Sequence, residues 1–236
     1  MLTTESEAWL LEKFPKLVVM NNEINGVVEF TATYNNESDK FLIIEEGTED
    51  VVGGVRLSGS FEINIKERTD IKFSHLPALY IKNADFEFTR DRHINIGTDK
   101  SACLCSPFEE PQYLLPELQF ALFFEHLIIP FLYGQLFYTK AERWPWKDLA
   151  HGSIGLLESY STLADPSKAN ACVEMLKYSS LDWPKIQQLL KQKAEIKGHI
   201  ECLCASRCQI RNCHPIAWKG IRQLQCDLKA QKILVP

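Results

Sequence analysis

His93, Asn95 and Cys103 are the residues of this chain best placed to do chemistry together. His93-Ile94-Asn95 is followed by seven residues and then Cys103-Leu104. Cysteine is nucleophilic as the thiolate, and a polar, partly exposed setting favours that form. A carboxamide nearby can donate a hydrogen bond to the oxyanion that forms when a thioester carbonyl is attacked. Asn95 is therefore the candidate oxyanion donor, or else the residue that holds the loop in shape. A Cys-His hydrolase is the other reading, with Cys103 served by His93, His126 or His151. The plainest alternative is a buried, inert thiol. Cys105 is expected to be structural, or to cap Cys103 as a reversible disulfide. His126 reads as a core histidine in an apolar helix, and His151, ahead of Gly152, as a residue of a helix start.

A second constellation lies near the C-terminus: Cys202-x-Cys204-x8-Cys213-His214. Three thiolates and an imidazole match the tetrahedral preference of zinc, and four protein ligands leave no open position, as in a structural site. A module this small buries little core, so a metal would supply stability. Cys208 is a further thiol that could replace one ligand. Reduced thiols without metal are the alternative, and Cys172 and Cys226 suggest no role. Such a knuckle would present a basic surface, including Arg207, Arg211 and Lys219, to a protein partner.

The elements that must position these groups change character along the chain. Residues 4–14 read as a short helix with Thr3 or Thr4 as N-cap and Glu5 and Glu7 in its first turn. Strands are expected at 17–20 with 27–34, at 41–46, at 55–66 and, more weakly, at 79–88. Gly53-Gly54 and Asn35-Asn36 supply turns. After Cys103 the pattern turns helical: 116–143 as one helix bent at Pro130 or as two, then 153–163, 167–178 and a basic amphipathic segment at 185–197. Strands followed by helices define an α+β domain. A boundary near Asp165-Pro166 separates residues 1–165 from a C-terminal module, 166–236.

The totals bound the function. The 236 residues suit one medium domain and a small module, or two small domains. The start, MLTTESEAWL, does not read as a signal peptide, so a cytoplasmic protein is expected. Its eight cysteines then read as reduced thiols, ligands or a nucleophile rather than a disulfide framework. The longest apolar stretch, 118–138, is interrupted by Glu125, His126, Pro130 and Gln135, so a core helix is expected and no membrane span. A net charge of −5 argues against nucleic acid as the main partner. Residues 166–236 carry 12 Lys+Arg against 5 Asp+Glu, while 1–165 carry 14 against 26. That asymmetry suits two parts with different partners, two parts attracted to each other, or a solvated basic face. There is no Gly-rich phosphate loop, so activation would come from a separate protein or the thioester would form by an unusual route.

The stretch His93-x-Asn95-x7-Cys103-Leu104 resembles the signature of ubiquitin-conjugating enzymes, His-Pro-Asn, seven residues, then the catalytic Cys and usually Leu. The order helix, meander, cysteine loop, helices is also that of the ubiquitin-conjugating (UBC)-like fold, so the resemblance covers roughly 1–165. It departs at Ile94, where the family has proline, and at Lys100, where it usually has glycine. The family's Tyr-Pro…Pro-Pro segment is reduced to Leu76-Pro77-Ala78-Leu79-Tyr80. These departures, with Trp144-Pro145-Trp146 and His151-Gly152, are more similar to the prokaryotic branch encoded in CBASS antiphage systems. The resemblance implies a transferase that holds a partner protein's C-terminus as a thioester on Cys103 and passes it to an amine. The implied partner is a cyclic-oligonucleotide synthase, a cGAS/DncV-like nucleotidyltransferase, and His93 is implied to shape the loop rather than act as a base. The cysteine cluster resembles the zinc motif at the C-terminus of SecA and its relatives, departing where Ala205-Ser206-Arg207 replaces Gly-Ser-Gly. A non-catalytic, zinc-stabilised protein-binding module is the alternative of another class. The oligomeric state is left open, a homodimer included.

Overall fold

Thr3 starts the first helix, its hydroxyl accepting from the Ser6 amide at 3.1 Å. The computed structural model describes residues 3–45, 51–68, 74–95, 99–114, 118–180, 182–204 and 206–236. Helix α1, Thr4–Lys13, has Glu5 and Glu7 in its first turn and Lys13 in its last, matching the helix dipole. The chain then forms β1 (Leu17–Met20), β2 (Glu23–Asn35), β3 (Lys40–Ile43), β4 (Val55–Lys66) and β5 (Ala78–Ile81). These make one antiparallel sheet in the order β1-β2-β4-β5, with β3 also paired to β2.

Side-chain alternation fixes the register. Ile24, Val28, Phe30, Ala32 and Tyr34 of β2 are buried, as are Leu57, Phe61, Ile63 and Ile65 of β4. The pairings run from Ile24↔Ile65 to Tyr34↔Val55, and β5 continues with Ile63↔Ile81 and Ile65↔Leu79. The expected strand over 79–88 stops at Ile81. Just beyond it, Asn83 Oδ1 accepts from the Glu62 amide at 2.8 Å. Residue 46 and residue 116, ends of two expected elements, lie outside the described residues.

Short helices α2 (Pro111–Leu114) and α3 (Phe120–Phe123) precede a π turn, Phe124–Ile128, and α4, Ile129–Ala141. The stretch from Phe120 to Ala141 is one helical rod, long and apolar enough to cross a membrane by length and composition, yet mostly buried. It supplies core: Phe123, Phe124, Ile128, Ile129, Leu132 and Tyr133 are each inaccessible to solvent. Pro130 lies in the first turn of α4, directly after the π turn. Proline offers no amide N–H to the helix ladder, and it sits where the wide turn ends. Trp9 of α1 and Phe14, the residue that caps it, pack on Phe124, and Trp9 also on Phe120.

The chain divides into two compact units, Met1–Asp148 and Leu149–Pro236. The division falls ahead of the boundary placed after residue 165, because helix α5 (Gly152–Leu163) belongs to the second unit. The other helices there are α6 (Ala169–Ser179), α7 (Trp183–Lys191), α8 (Ile210–Cys213) and α9 (Pro215–Ala230). Helices α5 and α9 cross closely: a Cβ on Gly220 would collide with the Leu157 carbonyl. Tyr160 donates to Asp227 at 2.7 Å in that buried contact. The amphipathic segment expected over 185–197 ends as a helix at Lys191. Gln225 of α9 overrides it, donating to the carbonyls of Leu189, Gln192 and Ala194 at 3.2, 3.0 and 3.1 Å.

Candidate functional site

Ile94 and Ala102 form an isolated antiparallel bridge, and this bridge organises the site. Both side chains are buried, at 3% and 1% exposure, and they anchor the two arms of the loop to the core. The flanking pairs are hydrogen-bonded: the Cys103 amide donates to the His93 carbonyl at 2.7 Å and the Asn95 amide to the Ser101 carbonyl at 2.9 Å. Across an antiparallel pair, residues one step from an inward pair face the other way. His93 therefore stands directly opposite Cys103, which is exposed. Ala102 is tied to the sheet through its amide, which donates to the Leu79 carbonyl of β5 at 2.8 Å.

Ile94 and Lys100 each have a local explanation. Ile94 fills core, and its amide donates to the Thr89 carbonyl at 3.3 Å, a bond that proline could not make. Lys100 holds φ +61°, the left-handed region that glycine favours. His93 has φ +53° and closes the turn Arg90–Arg92. That turn is fastened to α4: buried Gln135 donates to the Arg92 carbonyl at 2.7 Å. The Arg92 guanidinium sits 4.1 Å from the Phe86 ring centroid and 4.8 Å from that of Tyr138.

His93 has a second partner that its sequence neighbourhood does not announce. Its Nε2 lies 2.7 Å from Asp148 Oδ2, and Cys103 faces His93 across the bridge. Burial opposes a charge on His93, but the Asp148 hydrogen bond and charge, with the influence of the Cys103 side chain, outweigh it. They raise the imidazole from its ordinary 6.5 to about 9. Trp144 backs the ring edge to face at 4.7 Å between centroids. The indole donates to the Asp91 carbonyl at 2.7 Å, and it lies so close to Gly134 of α4 that a Cβ there would collide with it. Cysteine, imidazole and carboxylate are thus brought to one place, the set of groups that can activate a thiol nucleophile.

Asn95 braces the loop: its Nδ2 donates to Ser101 Oγ at 3.1 Å. Asp99 accepts from the Ser101 amide at 3.0 Å and from Tyr80 at 2.9 Å. Burial would raise its carboxyl, but those bonds and the Arg68 charge hold it at about 2. Cys105 is half-buried, and its thiol is pushed up by burial and then by the charges of Glu110 and Glu109, which suits a structural thiol. His126 is exposed on its helix rather than in the core. His151 takes the N-cap position of α5 without a side-chain capping bond.

The C-terminal cluster forms as a group. Cys202, Cys204, Cys213 and His214 bring their ligand atoms within 4.8 Å of one another, so the Cys3His group can hold a metal ion. Cys202 Sγ lies 3.2 Å from His214 Nδ1, and Cys204 Sγ lies 3.5 Å from Cys213 Sγ. Those separations are close to the edges of a tetrahedron around a thiolate-bound zinc, about 3.5–3.8 Å. A bridge between Glu201 and Gln209 closes the hairpin, and α8 carries Cys213 to the far side. Cys204 is lowered to about 6, first by the Ser206 hydroxyl, against burial, and also by its thiol neighbours. Burial raises Cys202 to about 12. A metal ligand must be a thiolate, and Cys204 is already poised as one. Cys208 is exposed and contributes backbone, its carbonyl accepting from the Cys202 amide at 2.8 Å.

Comparison of the chain with protein-family models, with curated proteins and with solved structures finds no match.

Proposed function

We propose that this chain is a ubiquitin-conjugating-like transferase that carries an acyl group on Cys103. The observation that carries the reading is exposed Cys103 set opposite His93, with the imidazole bound to Asp148. An antiparallel sheet, the cysteine loop after its last strand, and helices beyond it support a UBC-like fold. His93 takes the proton of the Cys103 thiol as the sulfur attacks the carbonyl carbon of an activated protein C-terminus. The bond to the donor's leaving group breaks, the donor departs with its electron pair, and a thioester forms on Cys103. An amine nitrogen then attacks that carbonyl, the carbon–sulfur bond breaks, and the amine's proton goes to the departing sulfur. Asn95 and Ser101 hold the loop through both steps. By resemblance, the carried protein is a cGAS/DncV-like nucleotidyltransferase of a CBASS antiphage system, activated by a separate protein. The Cys3His group is read as a structural zinc site, with the metal holding the hairpin and taking no part in transfer.

The His93–Asp148 contact also favours a second reading, a Cys-His hydrolase in which water replaces the amine. Intact-mass measurement of the chain co-expressed with the synthase and its genomic neighbours separates these outcomes. A reducible adduct on Cys103, absent from Cys103→Ala, supports acyl carriage; no adduct, or one that survives the substitution, defeats it. Added amine yields an amide conjugate under the first reading and free acid under the second.

A further inference from the structure

The peptide unit joining Ala102 to Cys103 is held from both sides. Its N–H donates to the His93 carbonyl at 2.7 Å, and its C=O accepts from Arg68 Nη2 at 3.3 Å. Arg68 follows the end of β4, far from the loop in sequence. Its side chain is only 7% exposed, and its Nη1 lies 3.9 Å from Asp99 Oδ2. Nε and Nη1 make no hydrogen bond among the described residues. A buried guanidinium with unsatisfied N–H groups costs stability, and an apolar residue of similar volume would cost less. Its polar contacts go instead to the segment that carries Cys103: to the Ala102 carbonyl and to Asp99, which itself grips the Ser101 amide.

We infer that Arg68 is a positioning residue for Cys103, fixing the Ala102–Cys103 peptide so that the sulfur meets the His93 imidazole. The inference rests on the reading of Cys103 as the nucleophile. Loss of the fork frees the Ala102 carbonyl, lets the peptide rotate and separates sulfur from imidazole. Lysine keeps the charge but not the planar fork, so it restores only part of the effect.

The test is the alkylation rate of Cys103 by iodoacetamide in the full chain, read peptide by peptide by mass spectrometry, with exposed Cys226 as internal control. Arg68→Met is expected to slow Cys103 by about tenfold, with Arg68→Lys intermediate and Cys226 unchanged. Asp148→Asn should slow Cys103 in the parent but have little further effect in Arg68→Met, because both act through one contact. A lowered melting temperature with an unchanged Cys103 rate, or strictly additive effects, would overturn the proposal. Should Arg68→Met not fold, Asp99→Asn and Arg68→Lys carry the same test, and unchanged Cys103 rates in both refute it. Arg68-dependent alkylation in a chain that forms no adduct with its partner would leave the positioning role standing and remove the transfer reading.

Discussion

Replacing Asp148 with asparagine tests the imidazole–carboxylate pair directly. Asp148 and Cys103 together lift His93 from 6.5 to about 9. A shift of that size corresponds to about 3 kcal/mol. The Asp148 side chain is 34% exposed, and solvent screening reduces its share to about 1–2 kcal/mol. The folded value lies above the unfolded one. The contribution is therefore fully present below pH 6.5 and is lost as pH rises through about 9. Urea unfolding at pH 6 should show Asp148→Asn less stable than the parent by about 1–2 kcal/mol, with the gap closing towards pH 10. The His93 Cε1 proton, followed by NMR, should titrate near pH 9 in the parent and markedly lower in the variant. A parent midpoint near 6.5, or a midpoint that Asp148→Asn leaves in place, refutes the pairing.

Other perturbations probe the supports. Gly134→Ala drives a Cβ into the Trp144 ring. It should cost about 1–3 kcal/mol in thermal or urea unfolding and slow Cys103 alkylation by displacing the surface behind His93. Lys100→Gly should stabilise the chain by about 0.5–1 kcal/mol, since it relieves a left-handed backbone at a β-carbon. Metal analysis of purified protein should find about one zinc per chain, lost in Cys202→Ser/Cys204→Ser. Chelation should lower the melting temperature of the parent and leave that of the variant unmoved.

What could be read from the residues was mostly what local pattern controls. Alternation placed the long strands of the sheet, and Thr3 with Glu5 and Glu7 marked α1. The four residues of the Cys3His group were legible because a hairpin brings close sequence neighbours together. Asp148 was invisible: 55 residues separate it from His93, and no periodicity announces such a contact. Its only cue was an acid just after Trp144-Pro145-Trp146. The amphipathic pattern over 185–197 ran past Lys191 because Gln225, from a distant helix, takes the carbonyls a longer helix would have used. His126 looked like core because its neighbours are apolar, yet its helix turns it outward. Arg68 gave no signal, since its meaning lies in the carbonyl it meets.

The bridge between Ile94 and Ala102 also changes what the spacing means. Sulfur and imidazole meet because their neighbours are pinned as a pair, not because a fixed number of residues lies between them. A relative with a longer or shorter excursion between Asn95 and Ser101 would keep its cysteine opposite its imidazole if the bridge survived. One residue inserted between Ile94 and Asn95, or between Ser101 and Ala102, would instead break the alternation and turn one arm over. Searches for distant relatives should therefore fix the two buried anchors and let the loop length float.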